Sequence, residues 1–241
     1  MPRWNGALPG GVDKSVETVD KASSEWIPKG RALGIFAKEP VAGRVKTRLC
    51  PPLTFAQAAQ LYRVSLLETV SVMAGAGFDP VVFYAGDEAF FRRSFPGVRL
   101  IPQGEGDLGE RMERALETLL GECAAAVLIG SDSPDLPPSH LKAAFTALAE
   151  TDVITAPSRD GGYVLVGERR HHPELFREIP WSTDAVLEIT RRRAVEMSVS
   201  YAEVAGWDDV DDLVSLKRLL QRSPSSATSR YARKILLPHS F

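Results

Sequence analysis

Basic residues crowd one short stretch of the chain, Lys38–Glu39–Pro40–Val41–Ala42–Gly43–Arg44–Val45–Lys46–Thr47–Arg48–Leu49. Its four bases and one acid give a local charge of +3 in a segment that also holds Pro and Gly. Several cations on a bendable loop suit a chain of phosphates, Arg offering a fork of donors and Lys a point charge. A solvated basic loop has the same spacing. Within this loop neither G-x-x-x-x-G-K-[ST] nor G-x-G-x-x-G occurs, so it is not a literal copy of either common phosphate loop.

Acidic residues cluster elsewhere. Ile129–Gly130–Ser131–Asp132–Ser133–Pro134–Asp135–Leu136 puts a carboxylate where an apolar run stops. That placement suits a hard divalent cation, which prefers oxygen ligands. Asp132 is the candidate ligand, with a turn cap as the alternative. Asp135, just before Pro137, reads as a cap. Trp207–Asp208–Asp209–Val210–Asp211–Asp212 packs four carboxylates into five positions. An acid-rich helix start is the common reason for such a run. Four mutually repelling charges also invite a cation, and Asp209 or Asp211 could complete a metal site begun by Asp132.

Three further clusters could finish a pocket. Asp160–Gly161–Gly162–Tyr163 reads as a turn joining two strands, and its glycines permit close approach of a ligand to the backbone. Gln103–Gly104–Glu105–Gly106–Asp107–Leu108–Gly109–Glu110–Arg111 is a glycine-rich loop entering a helix, whose free N–H groups suit a base or phosphate edge. Trp181–Ser182–Thr183 either stacks a ring or staples a helix start, and the staple is the simpler reading.

The elements that must carry these residues alternate along the chain. Apolar runs at Ala32–Ala37, Pro80–Ala85, Val98–Pro102, Ala125–Gly130 and Val153–Ala156 read as buried strands. Gly162–Gly167 follows the fifth after a short loop, so it reads as an antiparallel addition. Thr54 with Gln57 is a capping box opening a long helix with Ala58, Leu61, Ser65, Leu66 and Val70 on its apolar face. Asp107 with Glu110 opens a second helix, to about Leu120. A third starts at Pro137–Pro138–Ser139 and ends near Glu150. A fourth starts at Ser182 or Thr183, and a fifth near Asp209. Alternation of this kind predicts a mostly parallel sheet covered on both faces. In such a sheet ligands bind beyond the carboxyl ends of the strands, where the unusual residues gather.

Composition sets the outer limits. The chain has 241 residues, 44% hydrophobic and 25% charged, with 29 Lys+Arg against 31 Asp+Glu, close to an average globular protein. That near balance argues against a dedicated nucleic-acid binder. Cys50 and Cys123 have no metal-ligand spacing, and neither do His140, His171, His172 and His239. Two lone thiols, no run of about 20 apolar residues and no signal-peptide stretch predict a cytoplasmic protein without a membrane span. Residues 1–30 read as an appended arm, with helical spacing only at Val12, Val16 and Val19. From Leu213 onward there are six bases and no acid. The expected division is an arm at 1–30, one domain at 31–222 and a basic tail at 223–241. A homodimer is left open, the arm being one place for its contact.

FAKEPVAGRVKTRL, QGEGDLGERM, LIGSDSPDLP, APSRDGGYVLVG and IPWSTDAV stand here in the order in which one family carries them. The sequence resembles the bacterial glycosyltransferase-A-like proteins of the nucleotide-diphospho-sugar transferase superfamily, in the branch described as arsenosugar-biosynthesis-type. Guanylyltransferases acting on 2-phospholactate and on the molybdenum cofactor are distant relatives. The resemblance covers about residues 32–220. It implies an α/β fold of three layers, α/β/α and Rossmann-like, the GT-A fold, with a mostly parallel mixed sheet. Two features depart from the superfamily's pattern: the opening loop is not glycine-rich, and the acidic motif reads Asp132–Ser133–Pro134–Asp135 rather than D-x-D.

The resemblance also implies roles. Lys46 and Arg48 would hold the nucleotide phosphates, with Ala37, Lys38 and Arg44 of the same segment. Gln103, Gly109 and Arg111 would lie near the nucleotide. Asp132 would hold Mg²⁺ or Mn²⁺, with Asp209 or Asp211 opposite. Gly161, Gly162, Tyr163, Trp181, Ser182 and Thr183 would meet a small-molecule acceptor. The activity expected is transfer from a nucleotide-activated donor, a glycosyl group leaving a nucleotide-sugar and Asp160 taking the acceptor's proton. Asp132, Asp160 and Lys46 are then the catalytic set. Nucleotidyl transfer to a phosphorylated small molecule is the alternative, and a nucleotide-binding module without turnover is a further one. A dehalogenase-type phosphatase would need D-x-D after the first strand, where Lys38–Glu39–Pro40 stands.

Overall fold

The computed structural model describes residues 30–236 of the 241-residue chain. The expected arm at 1–30, apart from Gly30, and His239 lie outside the described residues. Seven strands form one sheet among the described residues: β1 (Arg31–Lys38), β2 (Pro80–Ala85), β3 (Arg99–Pro102), β4 (Ala125–Gly130), β5 (Val153–Pro157), β6 (Tyr163–Glu168) and β7 (Tyr201–Glu203). Their order is β3-β2-β1-β4-β6-β5-β7, and only β6 pairs antiparallel, with β4 and with β5. This is the mostly parallel mixed sheet of the expected three-layer α/β fold. Long apolar runs make β1, β2 and β4 because both sheet faces are covered. Ile35, Val82 and Val127 are fully buried.

Seven helices accompany the sheet among the described residues: α1 (Phe55–Gly75), α2 (Glu88–Ser94), α3 (Leu108–Leu120), α4 (Pro138–Ala147), α5 (Val186–Glu196), α6 (Leu213–Arg222) and α7 (Ala227–Leu236). Side chains from two separate buried clusters pack on the sheet. One joins Leu66, Phe91 and Phe145 to Ile35, and the other joins Leu116, Leu119 and Phe176 to Leu128. The capping boxes at Thr54/Gln57 and Asp107/Glu110 are both formed and start α1 and α3 as expected. The expected apolar face of α1 is buried, from Ala58 to Val70.

Several elements differ from expectation. Residues 227–236, read as basic tail, form α7, which packs against α1 and buries Thr228, Ser229, Ala232 and Ile235. Glu68 of α1 starts that helix by accepting the Ala227 and Thr228 N–H groups at 2.6 and 2.8 Å. The helix expected at Ser182 or Thr183 begins at Val186. Thr183 Oγ1 instead donates to the Pro180 carbonyl at 2.7 Å and Ser182 takes φ 66°, so that segment is a turn. The helix expected near Asp209 begins at Leu213, capped by Asp212. The strand at Gly162–Gly167 is antiparallel as expected, but it lies inside the sheet between β4 and β5.

No described helix is long and apolar enough to cross a membrane.

Candidate active site

The carboxyl ends of β1, β3, β4 and β5 deliver their following loops to one cavity of 790 Å³. The geometry begins at the end of β1. The Lys38 N–H donates to the Tyr62 hydroxyl at 2.9 Å, and that hydroxyl lies 2.7 Å from Ser131 Oγ. Ser65 Oγ donates to the Ser131 carbonyl at 2.9 Å. Neighbouring residues of α1 therefore hold the ends of β1 and β4 together and fix where Asp132 emerges. Tyr62 was not among the residues singled out from sequence. Its only signal was its place beside the apolar stripe that includes Leu61 and Ser65.

Lys46 comes from the basic loop with a left-handed backbone, φ 50°, and its side chain is 7% exposed. Its ammonium forms an ion pair with Asp132 and donates to Asp211 Oδ1 at 2.9 Å. Burial alone would push the Lys46 pKa down. Asp132 and Asp211 outweigh it and hold the ammonium above the ordinary lysine range. Loop residues 209 and 210 are themselves tethered to the loop after β4. The Val210 N–H donates to the Asp132 carbonyl at 2.9 Å, and Ser133 Oγ donates to Asp209 Oδ1 at 2.5 Å. Asp209 is pushed up to about 7, chiefly by burial and next by the nearby Asp132 charge, against the pull of Ser133 and Lys46.

Carboxylate oxygens of Asp160, Asp209 and Asp211 lie within 4.8 Å of one another. This differs from the ligand set expected from sequence, in which Asp132 stood at the centre. Asp132 is not in this trio and pairs with Lys46, as Asp211 also does, while Asp160 stands with the two later aspartates. Three oxygen donors at this spacing fit a hard divalent cation. Burial raises the Asp209 pKa first, and the nearby Asp132 and Asp211 carboxylates add to it. Asp160 is oriented by its own turn, accepting from Ser158 Oγ and from the Gly162 N–H.

The remaining expected residues divide. Ala37, Lys38, Arg44, Arg48, Gln103, Arg111, Tyr163, Ser182 and Thr183 line the cavity together with Lys46 and the four aspartates. Gly109, Gly161, Gly162 and Trp181 do not line it. Gly109 is needed for packing, since a Cβ there would lie 2.3 Å from the Phe176 carbonyl oxygen and 2.4 Å from Trp181 Nε1. Trp181 thus closes on the start of α3. Gly161 has φ 87°, and a Cβ there would lie 2.1 Å from the Asp184 carbonyl oxygen. Gln103 spends its amide N–H groups on the Ala37 and Phe83 carbonyls at 3.1 and 2.9 Å, tying β1 to β2 beneath the cavity.

The glycine-rich loop Gly104–Glu105–Gly106–Asp107–Leu108–Gly109 is, moreover, a literal G-x-G-x-x-G between a strand and a helix. The strand it follows is β3, at the sheet edge, and Arg114 holds the loop by donating to the Gln103 and Glu105 carbonyls at 2.6 and 3.0 Å.

The model of one protein family, described as an uncharacterized protein conserved in bacteria (DUF2064), matches residues 69–183. No curated protein matches the chain. Among solved structures, a candidate nucleotide-diphospho-sugar transferase from Desulfovibrio desulfuricans G20 is 29% identical, with a TM-score of 0.79 over 86% of this chain and 95% of its own. Rv0371c from Mycobacterium tuberculosis H37Rv is 20% identical, with a TM-score of 0.52 over 79% of this chain and 98% of its own. A cytidylyltransferase from Leptospira borgpetersenii serovar Hardjo-bovis is 12% identical, with a TM-score of 0.55 over 87% and 94%. These last two share the fold alone. In its sheet order, its motifs and its likeness to the Desulfovibrio protein, the chain is similar to proteins of the nucleotide-diphospho-sugar transferase-like superfamily.

Proposed function

We propose that this transferase takes a nucleotide-activated donor, bound with a divalent cation, and moves a glycosyl group from it to a small acceptor. One observation carries the reading. Lys38, Arg44, Arg48 and Arg111 line the cavity with no ion-pair partner among the described residues, while Asp160, Asp209 and Asp211 converge in the same cavity. Unpaired cations beside clustered carboxylates match a chelated polyphosphate, which carries both charges. Arg111 also leaves a buried Nε without a partner. The Desulfovibrio relative, described as a candidate nucleotide-diphospho-sugar transferase, supports the choice of donor.

In this reading Asp160, Asp209 and Asp211 hold Mg²⁺ or Mn²⁺, whose contribution is to neutralise charge building on the leaving diphosphate. The arginines of the loop bind the same phosphates. An Asp160 carboxylate spent on a cation is not free to take a proton. Asp184 lines the same cavity with no ion-pair partner among the described residues, and it replaces Asp160 as the acceptor of the hydroxyl proton. Nucleotidyl transfer is the second reading, since the same unpaired cations suit a triphosphate as well as a diphosphate.

A thermal-shift panel of nucleoside triphosphates and sugar nucleotides, with and without Mg²⁺ or Mn²⁺, tests the proposal. A ligand at 100 times its dissociation constant stabilises by about 2.7 kcal/mol. Stabilisation by a sugar nucleotide that needs the metal and is lost in Asp209→Asn is the expected result. Stabilisation by triphosphates alone selects the second reading. If metal changes nothing with any nucleotide, the proposal fails.

A further inference from the structure

We infer that Lys46 is an internal counter-cation that competes with the divalent ion, so that the site takes metal and polyphosphate together and binds free metal poorly. The inference rests on the metal reading above. Its basis is that one carboxylate serves two purposes. Asp211 belongs to the trio whose oxygens lie within 4.8 Å of each other, and its Oδ1 also accepts from Lys46 Nζ at 2.9 Å. A divalent ion arriving on that trio shares Asp211 with an ammonium and meets a like charge at close range in a partly desolvated site.

The arrangement of exposure shows how the conflict resolves. The lysine side chain is 7% exposed, whereas its partners Asp132 and Asp211 are 41% and 44% exposed. Lys46 therefore neutralises the acids from the protein side and leaves their open faces toward the cavity. Arg44 and Arg48, its loop neighbours, are exposed and have no ion-pair partner among the described residues. A polyphosphate settling on that loop offers Lys46 a new anion. The ammonium then exchanges carboxylate for phosphate, and Asp211 is released to the metal delivered with the same ligand. Binding of either ligand lowers the obstacle to the other, which is positive coupling between the two.

The test is titration of Mn²⁺ alone, without nucleotide, followed by electron paramagnetic resonance. Wild type, Lys46→Met and Lys46→Gln are compared, with circular dichroism and thermal melts showing that each is folded. The Gln variant keeps a hydrogen-bond donor toward Asp211 while removing the charge. Both variants are expected to bind Mn²⁺ at least ten-fold more tightly than wild type, and a further Asp209→Asn change to abolish that gain. Equal or weaker Mn²⁺ binding in the folded variants overturns the inference while leaving the metal site standing, provided Asp209→Asn removes the wild-type binding. If no form binds Mn²⁺, even with a nucleoside triphosphate present, the metal reading itself falls and the inference with it.

Discussion

Tyr62 and Ser131 lie 69 residues apart in sequence, yet their side-chain oxygens are 2.7 Å apart in the buried floor of the cavity. The same phenol accepts the Lys38 N–H, so one oxygen links the end of β1, the end of β4 and α1. Burial is the main reason its pKa is pushed up to about 12, so it stays a neutral hydroxyl. Tyr62→Phe removes these bonds and leaves buried groups unpaired, at a cost of about 1–3 kcal/mol. Urea unfolding should show this loss. Nucleotide–metal affinity should fall as well, because Asp132 loses its anchor. An unchanged affinity in a destabilised variant would confine Tyr62 to a structural role.

Gly109 makes a second prediction, about space rather than bonding. The nearest atoms to its missing Cβ are the Phe176 carbonyl oxygen and Trp181 Nε1, one of them fixed backbone. Gly109→Ala should therefore destabilise by about 1–3 kcal/mol, as overpacking does. For a domain of this size that is a fall of roughly 2–4 °C per kcal/mol in Tm. A melt that does not move would show that Trp181 yields freely.

Much of this frame was legible because it rests on local rules. Strands buried on both faces spell continuous apolar runs, and Thr54/Gln57 and Asp107/Glu110 spell helix starts. What could not be read depends on distance or on compensation. β7 is a three-residue strand, too short to carry a pattern. α7 looked like a solvated tail because its bases were counted as charge. Arg233 in fact donates to the Pro224 and Leu220 carbonyls at 2.8 and 3.0 Å, joining α7 to the end of α6. Candidate site residues were found by type, but not their grouping. Nothing in the spacing of Lys46, Asp132 and Asp160 says which carboxylate the lysine takes and which stands with Asp209 and Asp211.

Asp135, expected from its sequence context to be a turn cap, is a pairing residue. Its carboxylate accepts from Arg222 Nε and Nη2 at 2.6 and 2.8 Å, and from Ser223 and Trp207. Burial would push its pKa up, but these bonds outweigh burial and hold it below the usual range. Its side chain is 4% exposed, so removing Arg222 leaves a buried carboxylate with only the neutral donors of Ser223 and Trp207. Arg222→Ala should cost about 3–5 kcal/mol at pH 7. The sign follows from the depressed pKa. The pair's stabilisation is present above the unfolded carboxyl value and is lost as pH falls through the folded one. Chemical denaturation at pH 7 and pH 3 measures the penalty, which should shrink in acid. A penalty as large at pH 3 would show that the guanidinium acts through packing on Trp207, which it overlies at 4.6 Å, rather than through charge.

Glu168 supplies the pH dependence of opposite sense. It is fully buried at the end of β6, with His171 Nδ1 3.2 Å from one carboxylate oxygen and His172 Nδ1 3.7 Å from the other. Arg169 is turned away to Asp152 and the Ala149 carbonyl, and Arg170 is exposed 4.0 Å from Asp152. The two histidines are therefore the cations nearest this buried acid. Both pKa values are raised, first by Glu168, which hydrogen-bonds His171 and lies close to His172, with Glu113 and Glu117 adding to His171 and Asp152 to His172. A folded pKa above the unfolded value of about 6.5 means stabilisation that is present below that value and lost as pH rises through the folded one. Urea midpoints of the wild type should thus fall between pH 6 and pH 8.5, which can be checked without any ligand. In a His171→Gln, His172→Gln variant the midpoint should be lower at pH 6 and fall less across the window, the remaining fall coming from Asp209 with its raised pKa, and it should meet wild type at the alkaline end. A wild-type midpoint that rises over the same range would mean that the imidazoles do not compensate Glu168, and that its charge is balanced by some other group.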